Sequence, residues 1–190
     1  SIYLKEMPSF PMAEHAVSDL VHRLFGRGST SCELALLTIE RQSQPKRQCP
    51  ILLSLAVPGK TLAEVDVKKI DFDQEQVTET LISALLTVPM DGRRSNFIVK
   101  ESSAGYQIIS IDNEASFAQP ITKDGARIKI QFKSVLFCYH ELISKLSSSV
   151  MEAFLTVNAH SLVTDWIHDL KRIQKEYQLL FKDFHDPRFK

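Results

Sequence analysis

Three side chains in the middle of the sequence have the types and the spacing that phosphoryl-transfer chemistry requires. Asp91 and Asn96 are five positions apart in one polar segment, and Asp112 directly follows a strand-like apolar run. One carboxylate can accept or orient a hydroxyl proton, while a carboxamide and a second carboxylate can hold Mg²⁺ against nucleotide phosphates. Aspartate and asparagine are also ordinary turn residues, so the elements around them decide how the spacing is interpreted.

The elements predicted around these residues would hold them rigidly. Apolar residues recur at helical spacing over residues 74–88, and a proline then ends the predicted helix. Its expected buried side consists of Val77, Leu81, Ile82, Leu85 and Leu86. A polar loop at 90–96 follows, and then two strands at 97–100 and 106–111 around a turn. Asp112 therefore lies at the end of a predicted hairpin.

The first part of the chain predicts a strand, a helix and a second hairpin. Residues 2–5 indicate a short strand, and residues 13–25 predict a helix that glycines cap at its carboxyl end. Two apolar runs of strand length, at 33–39 and 50–56, predict an antiparallel hairpin with a loose turn. A proline-glycine pair at 58–59 then breaks the chain.

The remainder predicts an irregular stretch to about residue 127 and then helices at 133–146, 149–157 and 162–182. The last helix has one apolar stripe that is typical of core packing: Leu162, Trp166, Leu170, Ile173, Tyr177 and Phe181. Because strands dominate before residues 57–59 and helices after them, we expect an α+β protein in two parts.

Composition limits the classes of partner. The chain has 190 residues, 44% of them hydrophobic, which is enough for a core. Lysine plus arginine equals aspartate plus glutamate at 23 each, so no overall field attracts nucleic acid or an anionic membrane. The three cysteines lack a CxxC pair, which favours free thiols. Since no apolar run reaches the roughly 20 residues of a membrane span and no secretion signal is visible, we expect a cytoplasmic location.

On these residues the sequence resembles the phosphatidylinositol 3-/4-kinase branch of the kinase superfamily. The pattern of that branch is D-R-H-x-x-N followed by I-D-F-G. Asp91, Asn96, Ile111 and Asp112 match it in type and order. The resemblance implies that Asp91 is the catalytic residue and that Asn96 and Asp112 hold the metal.

The match is partial. Gly92 and Arg93 stand where the family has arginine and histidine, and Asn113 and Glu114 replace the phenylalanine and glycine. Arg93 and Arg94 are candidates for binding a phosphate, although exposed loop arginines are usually only solvated. These departures leave the metal-binding carboxylate in place.

The resemblance also implies a fold and a nucleotide site. It predicts a two-lobed kinase-like structure, with a small mixed-sheet lobe at 1–57 and a mainly helical large lobe at 58–190. Lys5 would contact the nucleotide phosphates, and Glu14 would be its partner on the helix. The segment 48–59 would be the last small-lobe strand and the hinge that grips adenine, which places Leu55 and Val57 in the nucleotide site as well.

The implied activity is an ATP- and Mg²⁺-dependent phosphotransferase whose acceptor hydroxyl belongs to a lipid, a small molecule or a protein. ATP and Mg²⁺ are the expected cofactors. The expected partners are a nucleotide and the acceptor, and a protein partner is possible if the domain is an interaction module. No nucleic-acid partner and no transmembrane segment are expected.

Two other functions stay open. The sequence shows no glycine-rich loop ahead of the lysine strand, so we expect either that it begins inside a small lobe or that it is a minimal domain. That feature favours a non-catalytic, pseudokinase-like interaction module, whereas the three retained site residues favour the transferase. A kinase-fold enzyme that transfers a nucleotidyl group is the third possibility.

Overall fold

The computed structural model describes residues 1–40, 46–119, 121–124, 127–130 and 132–184, with side chains described outside 121–130. Helices and strands are mixed along the chain, so the expected α+β class is confirmed. The strands form two three-stranded sheets and one two-stranded hairpin. Within the described ranges, no sheet combines strands from before residue 57 with strands from after it.

The first sheet has the strand order β1-β3-β2 and is antiparallel throughout, with strands β1 (Ile2–Glu6), β2 (Cys32–Ile39) and β3 (Arg47–Leu55). Helix α1 (Pro11–Phe25) connects β1 to β2 and ends at Gly26, whose φ of 71° is the left-handed conformation that glycine adopts without strain. The predicted strand, helix and hairpin are confirmed with small shifts at their ends. The expected turn at 40–48 falls mostly outside the residues described.

The second sheet has the order β4-β5-β6, from strands β4 (Lys60–Thr61), β5 (Phe97–Ser102) and β6 (Gly105–Ser110). Helix α2 (Gln74–Thr87) packs on β6 and is capped by Asp73, whose side chain accepts from the Gln76 amide. The core between them consists of Leu62, Val67, Phe72, Val77, Leu81, Ala84, Phe97, Val99, Ile108, Leu136 and Leu142. This core includes Phe97, Val99 and Ile108 of the hairpin β5–β6, whose ends carry the two loops of the candidate site.

The predicted helix at 74–88 is confirmed, but two of its expected buried residues are not buried. Leu85 is 53% exposed and Leu86 is 42% exposed. At 100° per residue, Leu86 lies half a turn from Val77, so it points away from the core that Val77 faces. The buried face is instead completed by polar residues, among them Gln76 and Thr80, whose side chains bond to the backbone of β6.

The stretch that was expected to be irregular contains a two-stranded hairpin, β7 (Ile121–Asp124) and β8 (Arg127–Ile130). Its register pairs Ile121 with Ile130 and Asp124 with Arg127. Strands of four residues contain too few alternations to stand out in the sequence, which is why this hairpin was missed.

The predicted helix at 133–146 is wrong. A 3₁₀ turn, Val135–Cys138, and the short helix α3 (His140–Ile143) take its place. The backbone at its start is held instead by the loop of the candidate site, because Gly92 N–H donates to Lys133 O and Val135 N–H donates to Gly92 O. Those bonds fix an extended segment where a helix would have to begin.

The other two predicted helices are confirmed as α4 (Ser148–Leu155) and α5 (Ala159–Leu180). The three cysteines are free thiols, as expected, and Cys32 and Cys49 are buried. In the parts of the chain that the structure describes, no helix combines the length and the apolar character needed to cross a membrane.

Helix α5 packs on α1 and β2, whereas the sequence grouped it with residues 58–190. Its apolar stripe faces these elements and is half-buried, except for Phe181, which is fully buried. The Trp166 indole N–H donates to Ala16 O at 3.2 Å, and the Tyr177 hydroxyl accepts from Leu34 N–H at 3.1 Å. The last helix thus supports the first sheet.

Candidate functional site

A cavity of about 470 Å³ is lined by residues of both three-stranded sheets and the loops beside them. Six of the seven predicted site residues line it: Lys5, Glu14, Leu55, Val57, Asn96 and Asp112. These residues come from β1, α1, the end of β3 and the loops that flank the hairpin β5–β6. The size is in the range of cavities that hold small-molecule ligands, roughly 300–1,000 Å³.

Lys5 forms two ion pairs on the wall of this cavity. Its Nζ lies 2.6 Å from Asp112 Oδ1 and 3.0 Å from Glu114 Oε2. Burial acts to lower the pKa of Lys5, but the bonds with these two carboxylates outweigh it and raise the pKa above its ordinary value. The expectation that Lys5 faces the cavity with Asp112 is confirmed. The expected ion pair with Glu14 is not formed, since within the described chain the ion pairs of Lys5 are with Asp112 and Glu114.

Glu14 is buried in the wall of the same cavity, with 4% of its surface exposed. It interacts with Asn113, whose backbone N–H donates to it and whose Nδ2 lies 3.5 Å from Oε1. Its other oxygen, Oε2, is buried and has no hydrogen-bonding partner among the residues described. Burial raises the pKa of Glu14 from 4.5 to about 7, and the charge of Asp112 adds to the effect, although the Asn113 bond opposes it. The carboxyl group is therefore poised between its neutral and charged forms.

The loop that carries Asp91 is held rigidly next to Asp112. The Asn96 side chain is buried, and its Nδ2 donates to the backbone oxygen of Asp91 at 2.8 Å. The Asn96 Oδ1 accepts from Arg93 Nε at 3.2 Å, and the Asn96 backbone oxygen accepts from Ile111 N–H at 2.9 Å. This last bond places Asn96 beside the turn that begins at Asp112.

Gly92 explains one departure from the kinase pattern. It packs against the backbone at 133–135, and a Cβ atom there would lie 2.4 Å from Lys133 O and 2.7 Å from Ser134 Cα. No side chain fits without a shift of one of the two backbones. The arginine that the related pattern has at this place is thus excluded by the close approach of the neighbouring segment.

The Asp91 side chain lies outside the main cavity. It faces a smaller hollow that shares Asn96, Ile111 and Asp112 with the cavity. It is 45% exposed, and its Oδ2 lies 3.4 Å from Arg93 Nε. The Asp91 side chain is therefore next to the other site residues but more exposed to solvent than Asn96.

The two loop arginines differ in their surroundings. Arg93 lines the main cavity. Arg94 donates to the backbone oxygens of Leu62 and Val65, and its guanidinium lies 5.9 Å from the Tyr139 ring centroid. These contacts give Arg94 a role in packing, so Arg93 is the one that remains a candidate for phosphate binding.

Asp112 begins a tight turn after β6. Its φ of 55° and ψ of 54° are the left-handed conformation, which costs a non-glycine residue roughly 1–2 kcal/mol. A 3₁₀ turn, Asn113–Ala115, follows and packs on α1. Through this turn the end of the second sheet contacts both α1 and Lys5.

The sequence did not identify Glu114 as a site residue. The kinase pattern that the sequence resembles has glycine at this position, so the resemblance gave Glu114 no role, although its carboxylate contacts Lys5 directly. An acidic residue two positions after the metal-binding candidate was the available signal. Ile98 and Ile111 give the cavity apolar surface, but the sequence indicated Ile98 only as a strand residue and Ile111 only as a strand residue that matches the kinase motif.

Comparisons with known proteins leave the family open. The sequence matches no protein-family model, and no curated protein aligns with it significantly. Over the described ranges, no group of three or more histidine, cysteine, aspartate or glutamate side chains is placed to hold a metal ion. The resemblance to the phosphatidylinositol kinase branch therefore rests on the motif residues themselves.

Proposed function

We propose that the chain is a kinase-like phosphotransferase domain that binds a nucleoside triphosphate with Mg²⁺ in the main cavity. The ion pair between Lys5 and Asp112 carries this proposal, because it joins two residues 107 positions apart in sequence on one cavity wall. Asn96 and the end of β3 line the same cavity. In this interpretation the first sheet with α1 and α5 forms one lobe, the second sheet with α2 forms the other, and the cavity is the cleft between them.

Each part of the cavity suits one part of such a ligand. The Lys5 ammonium would compensate phosphate charge. Leu55, Val57, Ile98 and Ile111 offer apolar surface against which a planar base can pack. The charged and apolar portions belong to one continuous cavity, as a nucleotide requires.

Asp112 and Asn96 would hold Mg²⁺. Both bring the hard oxygen donors that this ion prefers, and Mg²⁺ usually takes its remaining ligands from phosphates and water. Their proximity through the Ile111–Asn96 backbone bond fits such a pair. When bound, the ion neutralises charge on the phosphates.

Asp91 would accept the proton of the acceptor hydroxyl. Its side chain is 45% exposed next to Asn96 and Asp112, so an acceptor can approach it from solvent. Arg93, between the cavity and Asp91, would hold negative charge on either reactant.

Calorimetry with Mg·ATP tests the proposal on the protein in its full natural context. We expect binding that disappears when Mg²⁺ is chelated and that weakens at least about tenfold in Lys5→Met. Lys171→Met, a matched change on the exposed surface of α5, should bind like the wild type. A wild-type protein with no Mg²⁺-dependent nucleotide binding would rule out the phosphotransferase.

A non-catalytic binding module is the second candidate, and one observation favours it. Both proposed metal ligands already have internal partners, since Asp112 pairs with Lys5 and Asn96 Oδ1 accepts from Arg93. Product analysis separates the candidates. Transfer adds the mass of a phosphate to the acceptor, a nucleotidyl transferase adds that of AMP, and a module without activity adds neither.

A further inference from the structure

The charged groups around Lys5 are arranged differently from the pair that the sequence predicted. Glu114 Oε2 lies 3.0 Å from the Lys5 ammonium, and the Glu114 side chain is only 10% exposed. Its second oxygen, Oε1, is buried and has no hydrogen-bonding partner in the described part of the chain. One carboxylate oxygen of Glu114 therefore contacts Lys5, and among the described residues Glu114 forms no ion pair with another side chain.

Glu14 is engaged elsewhere. Its Oε1 and the Asn113 side chain are 3.5 Å apart, and the Asn113 backbone N–H also donates to it. It lies on α1, and the turn that contains Asn113 and Glu114 packs on that helix. Glu14 thus supports the turn, and Glu114 in that turn carries the carboxylate that contacts Lys5.

We propose that Glu114, rather than Glu14, is the positioning residue that holds the Lys5 ammonium in the cavity. This role deepens the proposed function and rests on it in one respect only, namely that Lys5 is positioned to contact the nucleotide phosphates. Asp112, the other partner of Lys5, is the carboxylate assigned to the metal. When Asp112 is shared between Lys5 and the metal ion, a second carboxylate with no role at the metal keeps the ammonium in place.

The geometry of the turn supports this role. Glu114 belongs to the 3₁₀ turn Asn113–Ala115, and the Ser110 hydroxyl fixes that turn by donating to Asn113 Oδ1 at 2.7 Å. Lys5 lies on the first sheet and Glu114 on the turn that follows the second sheet, so their ion pair joins the two at the cavity wall. The contact with Lys5 gives a physical reason for a glutamate at position 114, where the kinase pattern has glycine.

The reactivity of the Lys5 amine toward acetic anhydride tests the proposal without any nucleotide. Only the unprotonated amine is acylated, and a nearby carboxylate keeps the amine protonated. In Glu114→Gln, Lys5 acylation followed by peptide mass spectrometry should be about three- to tenfold faster than in the wild type. Glu14→Gln and the exposed control Glu101→Gln should stay within about twofold of the wild-type rate.

Acceleration in Glu14→Gln with none in Glu114→Gln would overturn the proposal. Glu114→Asp, which keeps the charge on a shorter side chain, should show an intermediate rate, and it serves if Glu114→Gln does not fold. Equal rates in Glu114→Asp and the wild type would also count against a contact at 3.0 Å. Absence of Mg·ATP binding by the wild type would refute the phosphotransferase while leaving the order of labelling rates unaffected, so the two failures are distinguishable.

Discussion

The Lys5 ammonium lies 2.6 Å from the Asp112 carboxylate and links the edge strand of the first sheet to the turn after the last strand of the second. The two side chains are 30% and 39% exposed, so solvent screens the pair. Pairs of this kind contribute about 0–1 kcal/mol to stability. The importance of this pair therefore lies in its position, where it brings opposite charges to the wall of one cavity.

The two aspartates should respond differently to mutation. Asp112→Ala removes the carboxylate that is proposed to hold Mg²⁺, so we expect Mg²⁺-dependent ATP binding to weaken by at least about tenfold and turnover to be lost. Asp91→Ala removes only the proposed proton acceptor, so binding should change by less than about threefold while turnover falls roughly 10²- to 10⁴-fold. Calorimetry and product assays on the same preparations measure both, with the exposed Asp165→Ala on α5 as the control. Equal loss of binding in both variants would contradict the separate roles.

Glu14→Gln should change how stability depends on pH. The pKa of Glu14 is about 7 in the fold and near 4.5 when exposed, so its contribution is fully present below about pH 4.5 and is lost as the pH rises through 7. Glutamine stays neutral, so the variant should gain up to about 3 kcal/mol over the wild type at pH 8 and little at pH 5. Urea unfolding at both pH values measures this, with Glu33→Gln on the exposed surface of β2 as the control. Parallel pH profiles of wild type and Glu14→Gln would show that Glu14 ionises normally.

Tyr177→Phe should weaken the docking of α5 on β2. The substitution removes the hydroxyl that accepts from the Leu34 N–H, and Leu34 is only 4% exposed. A buried donor left without an acceptor costs about 1–3 kcal/mol. Denaturant unfolding should show that loss, whereas Tyr3→Phe, at a position 62% exposed, should be within about 0.5 kcal/mol of the wild type. The same result for both variants would mean that the hydroxyl bond contributes nothing.

Gly92→Ala should disturb the loop that carries Asp91. A methyl group would overlap Lys133 O, so the loop or its neighbour must move, at a cost of about 1–3 kcal/mol. Because Asn96 bonds to Asp91 in the same loop, nucleotide turnover should fall together with stability. Gly26→Ala is a useful control, since its methyl group meets nothing within 4 Å and only the φ of 71° is unfavourable. It should lower stability by about 1 kcal/mol and leave turnover intact.

Local patterns predicted most of the regular elements, whereas most residues of the cavity were predicted through the resemblance to the kinase pattern. Strand β1 and helix α1 have clear periodicity and glycine at the helix end, and the hairpin β5–β6 is bounded by turn residues. The resemblance to the kinase pattern, applied to the order of these elements, predicted that Lys5 and Asp112 would face one cavity, and both line it. The periodicity of apolar residues indicates the length of a helix or strand and which of its faces is buried. Prediction from this pattern therefore succeeds where residues close in sequence determine the structure.

Several of the failures have a common cause in distant contacts. The helix expected at 133–146 is prevented by backbone bonds to Gly92, more than 40 positions earlier. Glu114 contacts Lys5 through a turn whose left-handed entry at Asp112 carries no distinctive sequence signal. The elements on which α5 packs are likewise chosen by contacts across the molecule. No local pattern contains that information.

The docking of α5 also constrains the order in which the chain can fold during its synthesis. The bond between Tyr177 and Leu34 spans 143 positions, and that between Trp166 and Ala16 spans 150. Ribosomes add about 5–20 residues per second, so the surface around Leu34 waits roughly 7–30 s for the residues that cover it. Contacts this distant also slow folding, because a long loop must close before they form. The nascent chain therefore exposes the apolar face of its first sheet to chaperones throughout that interval.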